Sequence, residues 1–218
     1  MKRMFRLLRA DEIEVRVGQM YGESATLLLY QDARCGMNIL DETIGAMNWK
    51  KSYSRENANC TVSIWNGDMQ QWVSKEDTGT ESNTEAVKGL ASDSFKRACV
   101  CWGIGRELYT APDIWIRKDA TWRENGKDKY GNTKYKINSR FKVTSIEYDD
   151  SGNIIGLEII NCKPNQVVFS IVPPPPICPK CGNPVTAVRM PDNTVVSPAE
   201  VLKKKGMCYT CSKAQKGA

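Results

Sequence analysis

The stretch that decides the reading runs from Glu85 to Tyr109, EAVKGLASDSFKRACVCWGIGRELY. It predicts one amphipathic helix closed by a glycine-rich turn. Ser82 can act as N-cap, with Glu85 three residues later completing a capping box. Val87, Leu90, Ala91, Phe95, Ala98 and Trp102 recur at the spacing of one buried helix face. Gly103 is placed to be the left-handed residue past the helix end, with Ile104 as its apolar follower. Lys88, Ser92 and Lys96 lie four residues apart and share a second stripe, which Arg97 adjoins. A helix that buries one face and offers Lys and Arg on another can grip an anion.

Composition narrows the function classes. The chain has 218 residues, 41% hydrophobic and 26% charged, which suits one core domain with a small appendage. It contains no histidine, so Ser-His-Asp and Cys-His catalysis and any His metal ligand are excluded. It contains no Gly-x-x-x-x-Gly-Lys-Ser/Thr loop, which argues against a nucleotide-driven ATPase. Asp32, Asp41, Glu42, Asp77 and Glu81 are scattered and do not read as the tight acidic cluster of a two-metal nuclease. A binding protein is expected, not an enzyme. Apolar runs are a few residues long, so no membrane span is expected. The basic start MKRMFRLLRADE has too short an apolar stretch for a secretory signal, so a cytoplasmic protein is expected.

Further blocks surround the helix: EIEVRVGQ at 12–19, YQDARCGMNILDETIGAMNW at 30–49, and the pair Asp77 and Gly79. In this order, with SDSFKRACVCWGIGRELY, they resemble the single-strand annealing family named after the eukaryotic recombination mediator Rad-fifty-two. The phage and prophage annealing proteins of that group look most similar. The resemblance covers residues 7–116, about half the chain. It implies a β-β-β-α core that assembles into rings or helical filaments, with single-stranded DNA in an outer groove. Lys96 and Arg97 match the adjacent Lys-Arg pair that contacts the phosphate backbone. Tyr30 matches an aromatic lining the same groove, and Arg16 resembles an arginine before the first hairpin. Its distance in sequence from Tyr30 is longer here than in the eukaryotic proteins. Where their pattern has a further groove arginine this chain has Val100, and Arg106, brought beside the helix end by the Gly-Ile-Gly-Arg turn, is the candidate replacement; the alternative is a salt bridge to a neighbouring subunit.

The pattern of strands around one long helix predicts an α+β domain over residues 1–172. Residues 11–20 read as a short helix or turn entering a strand, 25–30 as a strand, and 33–44 as a helix ending at Gly45. Segments 59–65 and 71–75 read as a hairpin across Asn66–Gly67. Segments 135–148 and 154–160 read as another across 149–153. Between them Arg117, Lys118, Arg123, Lys127, Lys129, Lys134, Lys136, Arg140 and Lys142 form a basic run. Interleaved Trp115, Trp122, Tyr130 and Tyr135 could stack bases; the alternative is a solvated hairpin with amphipathic stems.

Pro173–Pro176 read as a semi-rigid linker. Beyond it, at 177–218, Cys178-Pro-Lys-Cys181 and Cys208-Tyr-Thr-Cys211 supply four sulfurs for a tetrahedral structural zinc in a zinc-ribbon-like module. An iron–sulfur or redox dithiol site is the alternative. A hairpin over 185–196 and a helix capped by Ser197 and stopped by Gly206 are expected between the pairs. Cys35, Cys60, Cys99, Cys101 and Cys162 lack ligand spacing and read as small buried hydrophobes. Trp49, Trp65 and Trp72 read as core or subunit-interface residues.

The expected function is ATP-independent annealing of complementary single strands in phage-type recombination, by a homo-oligomer. The zinc module would hold a second strand, or dock a single-strand-binding protein or an exonuclease. Rival readings are an end-protecting binder that does not anneal, and a regulatory factor acting through the zinc module.

Overall fold

The computed structural model describes residues 3–80, 86–190 and 193–216. The predicted cap at Ser82 and Glu85 and the turn at Pro191–Asp192 lie outside them. The chain divides into two compact units, Met1–Ile171 and Val172–Ala218.

In the first unit, period-two apolar residues make an antiparallel pair, β1 (Ile13–Tyr21) and β2 (Ser24–Gln31). Only Ala10–Glu12 is helical before them, as a single 3-10 turn, because Val15 and Val17 favour an extended chain. Helix α1 (Ala33–Ile44) starts at Asp32, whose carboxylate accepts the Arg34 amide at 2.8 Å, and ends at Gly45. Strands β3 (Trp49–Ser54), β4 (Asn59–Asn66) and β5 (Gln71–Thr78) form an antiparallel sheet in that order. The turn into β5 follows Asn66–Gly67 as predicted, whereas β3 was not expected, since WKKSYS carries little apolar alternation. Helix α2 (Ala86–Trp102) follows and packs on β4 and β5.

Close backbone approach fixes where α2 lies. A Cβ on Gly79 would fall 2.5 Å from the Ser94 amide nitrogen, and one on Gly36 would fall 3.2 Å from Cys99 Sγ. The buried face of α2 centres on Ser94, Phe95, Ala98 and Cys99. Ser94 was not expected there; its hydroxyl donates to the Asn57 carbonyl at 3.0 Å, which removes the cost of burying it. The helix ends as predicted. Gly103 has φ +98°, its amide reaches Val100 O at 2.9 Å, and the buried Ile104 donates to Cys99 O at 3.1 Å.

Strand β6 (Ile114–Arg117) returns beside β2. A two-stranded hairpin follows, β7 (Trp122–Lys127) with β8 (Thr133–Ile137). Tyr135–Ile137 therefore belongs to this hairpin, not to the next strand. Then come β9 (Phe141–Tyr148), β10 (Ile154–Asn161) and β11 (Gln166–Ile171). The large sheet has the order β11-β10-β9-β1-β2-β6, and its edge strands β6 and β11 lie against each other. One apolar core unites this sheet, the smaller sheet and both helices.

In the second unit, β12 (Val188–Arg189) pairs with β13 (Val195–Val196). Helix α3 (Pro198–Lys205) has Ser197 and Glu200 as a reciprocal capping box and stops at Gly206, φ +68°. Helix α4 (Tyr209–Lys216), which the sequence reading did not foresee, starts inside the second cysteine pair. Cys178, Val185 and Val201 form its small core.

Candidate nucleic-acid interface

Strand β6 pairs with β2 only over Ser24–Leu27, so β2 runs on past its neighbour. The gap beside Leu28–Gln31 is a cleft of about 410 Å³. Its walls are the end of β2, the middle of α2, and the turn from Gly105 to Ile114. Tyr30, Lys96, Arg97 and Val100 all line it.

Its electrostatics are partly balanced. Arg97 Nε donates to Asp93 Oδ2 at 2.9 Å, one helical turn back. Burial alone would raise the Asp93 carboxyl, but the Thr80 amide and the Arg97 guanidinium outweigh it, leaving the group below its ordinary value. Hydrogen bonding to Asp93 raises the Arg97 guanidinium in turn, so the pair is charged at any ordinary pH. Among the described residues Lys96 forms no ion pair, although its charge helps to lower Asp93. Lys96 and the unpaired nitrogens of Arg97 are thus the donors this cleft offers an anion. Across β1, the Arg16 guanidinium lies 4.9 Å from the Tyr30 ring centre while its Nη2 donates to Glu14 at 3.0 Å.

Two cleft residues were missed from sequence. Asp93 was legible as an i,i+4 partner of Arg97. Gln31 carried no signal; its side chain is buried with Oε1 unpartnered, and a Cβ on Gly105 (φ +73°) would fall 2.3 Å from Gln31 Nε2.

Arg106 is placed elsewhere. Its Nη2 donates to the carbonyls of Val100 at 2.8 Å and Cys101 at 3.0 Å, capping the C-terminal end of α2. It lines a second cavity, with Lys75, Arg3 and Glu107. The Lys88 side chain lies outside the described residues.

In the second unit the sulfurs of Cys178, Cys181, Cys208 and Cys211 all lie within 4.8 Å of one another. Cys181 and Cys208 Sγ are 3.8 Å apart, and a zinc tetrahedron with bonds of about 2.3 Å has sulfur edges of about 3.8 Å. The Cys208 amide donates to Cys178 Sγ at 3.2 Å and holds that thiol below its ordinary value. Neighbouring sulfurs push Cys211 the other way. Four sulfurs this close need a cation before all can ionise, so the donor set fits a metal ion. The remaining thiols divide. Cys35, Cys60 and Cys99 are buried, and burial raises all three, Cys35 to about 12 and Cys60 to about 11. Cys101 is half-buried and Cys162 is exposed, contrary to the reading of all five as core.

The model of the Rad52/22 family double-strand break repair protein matches residues 1–126, more than half of the chain. The chain belongs to this family. No curated protein matches it, and no solved structure does. Rad52/22 membership places it among the DNA repair and recombination proteins that bind and anneal single strands and oligomerise in general. The matched span contains every residue lining the cleft and ends inside β7. No helix among the described residues is long and apolar enough to cross a membrane.

Of the aromatics in the basic run, Trp122 is buried, and Tyr135 meets it edge-on at 6.3 Å. Trp115 packs on Tyr21 at 5.3 Å, and only Tyr130, 76% exposed, stands clear.

Proposed function

We propose that the first unit binds single-stranded DNA in the α2–β2 cleft and anneals complementary strands without ATP, in recombination of the phage type. The observation that carries this is the meeting of Lys96, Arg97 and Tyr30 in one cleft within the span matched by the family. Lys96 and the free edge of Arg97 hold backbone phosphates, and Arg16 braces Tyr30 at the cleft wall. Contacts to phosphates read no sequence, so the bases stay available for pairing. Watson–Crick pairing then supplies the free energy, and no nucleotide cofactor is needed. A ring or helical filament of this chain repeats weak sites along a strand and gains avidity. The order β3-β4-β5-α2 supports a β-β-β-α core for that assembly. Arg106 and Lys88 complete the proposed set of cations only if assembly brings them to the strand. Residues 173–176 act as linker to the module at 177–218. There the four cysteines hold zinc, which when bound orders a unit too small for a stable core of its own.

The test is pairing of two complementary fluorescent oligonucleotides, without ATP, across a salt series. Pairing faster than the protein-free control, fading as salt rises, is expected. Tight binding of one strand with no acceleration would replace annealing by end protection.

A further inference from the structure

Gln31 is the last residue of β2, and phosphate binding by the cleft gives it no task. Alternation along the strand puts Ala25, Leu27, Leu29 and Gln31 on one face. Ala25 and Leu27 are buried and Leu29 packs against the core, so a fourth apolar residue would complete the row. The chain places a carboxamide there instead. Gln31 is 5% exposed and lines the cleft, and its Oε1 has no hydrogen-bond partner among the described residues. A buried acceptor without a partner costs stability, and an apolar side chain of the same shape avoids that cost. The neighbouring turn is nevertheless fitted to the carboxamide. Position 105 leaves no room for a side chain, since its Cβ would fall 2.3 Å from Gln31 Nε2.

The chemistry that can satisfy Oε1 is narrow. Within a DNA strand the phosphates and the deoxyribose carry acceptors only. They suit Lys96 and Arg97, but they have no proton to give to Oε1. The N–H donors of a strand belong to its bases. The rest of the cleft suits a base as well. Leu29, Val100, Leu108 and Pro112 line it, together with Tyr30 and with Tyr109, which is 70% exposed. Apolar walls and aromatic rings give a phosphate nothing, whereas a flat base packs and stacks on them. The volume of about 410 Å³ falls in the range of about 300–1,000 Å³ found for sites that enclose a small molecule. A carboxamide carries an acceptor beside a donor. The pairing edge of each of the four bases carries a donor beside an acceptor, so one glutamine can grip any of them.

We propose that the cleft takes one base of each bound stretch inward, with the Gln31 carboxamide bonded to its edge. Gln31 is then a base anchor that tolerates any sequence. This deepens the single-strand reading above and rests on it: Lys96 and Arg97 hold the phosphates beside that base, and the other bases stay outward for pairing.

The full-length chain is titrated, by anisotropy, with two labelled strands of equal length. One is oligothymidine and the other is the same backbone without bases. Wild type, Gln31→Met and Lys96→Ala/Arg97→Ala are compared. Methionine keeps an unbranched, adaptable side chain and removes the amide. Wild type is expected to prefer oligothymidine. Gln31→Met is expected to bind oligothymidine about fivefold more weakly, one hydrogen bond's worth, and the abasic strand as before. Its salt slope should not change, because no phosphate contact is lost. Its melting temperature should not fall, because a buried acceptor without a partner has gone. Unchanged affinity of Gln31→Met for oligothymidine overturns the proposal, as does a wild type that binds both strands equally. Equal losses on the two strands also overturn it and make Gln31 a backbone contact. A loss joined to a lower melting temperature makes the carboxamide a structural group and overturns it too. The reading it rests on fails separately. An unaffected Lys96→Ala/Arg97→Ala protein beside a weakened Gln31→Met keeps the base contact and removes the phosphate contacts. A wild type that binds neither strand overturns both.

Discussion

Asp93→Asn separates two roles for the carboxylate beside Arg97. As a charge, Asp93 opposes DNA; as a hydrogen-bond partner, it aims the guanidinium. The two side chains are 27% and 39% exposed, so water screens them strongly. A phosphate on the free edge of the guanidinium would stand about 6 Å from the carboxylate, a repulsion of about 0.7 kcal/mol at the dielectric constant of water. Removing it predicts about threefold tighter single-strand binding at low ionic strength. The gain shrinks toward about twofold near 0.1 M salt, where the screening length is about 10 Å. Asn keeps an acceptor for the Thr80 amide, so Thr80 stays tied to α2. Lost pairing within the helix costs stability only about 0.3–0.5 kcal/mol. Anisotropy of a labelled oligothymidine at two salt concentrations measures the effect. Weaker binding at low salt, approaching that of Arg97→Ala, would refute the reasoning and make Asp93 an aiming group.

Other perturbations bear on separate parts of the chain. Lys96→Ala/Arg97→Ala should flatten the salt dependence of single-strand binding by about 1.4 log–log units, two phosphate contacts' worth; an unchanged slope removes both from the groove. Treating the protein with a chelator should release the metal held by the four cysteines and abolish the cooperative melting of 172–218, while the transition of 1–171 persists; metal analysis, which is expected to find zinc, and calorimetry check both. Glu107→Gln should gain stability relative to wild type as pH rises. Burial raises the Glu107 carboxyl above its ordinary value of 4.5, so the wild type loses stability from about that pH upward and the amide does not. Each unit of that shift is worth about 1.4 kcal/mol, and melts at pH 4 and pH 8 read it. Gly79→Ala should cost about 1–3 kcal/mol in chemical denaturation, because its Cβ would sit 2.5 Å from backbone that cannot move aside.

What the sequence made legible was what local physics decides. The end of α2 was readable because a glycine followed by isoleucine has one good use there, and φ +98° at Gly103 with a fully buried Ile104 is that use. Ser197, Glu200 and Gly206 wrote α3 in the same way. Strand β3 was hidden because WKKSYS packs mainly through its first residue, and its partner β4 supplies the apolar alternation. Arg106 was expected beside the end of α2, and the structure places it there. The turn through Gly103 and Gly105 folds its guanidinium back onto the carbonyls of Val100 and Cys101; the glycine spacing told of the approach to the helix end but not of these acceptors. Trp122 and Tyr135 read as stacking groups because alternation shows that a strand has two faces but not which one meets the core. Register with Ile137 and Glu124 answers that, and it sends the aromatics inward and the cations out.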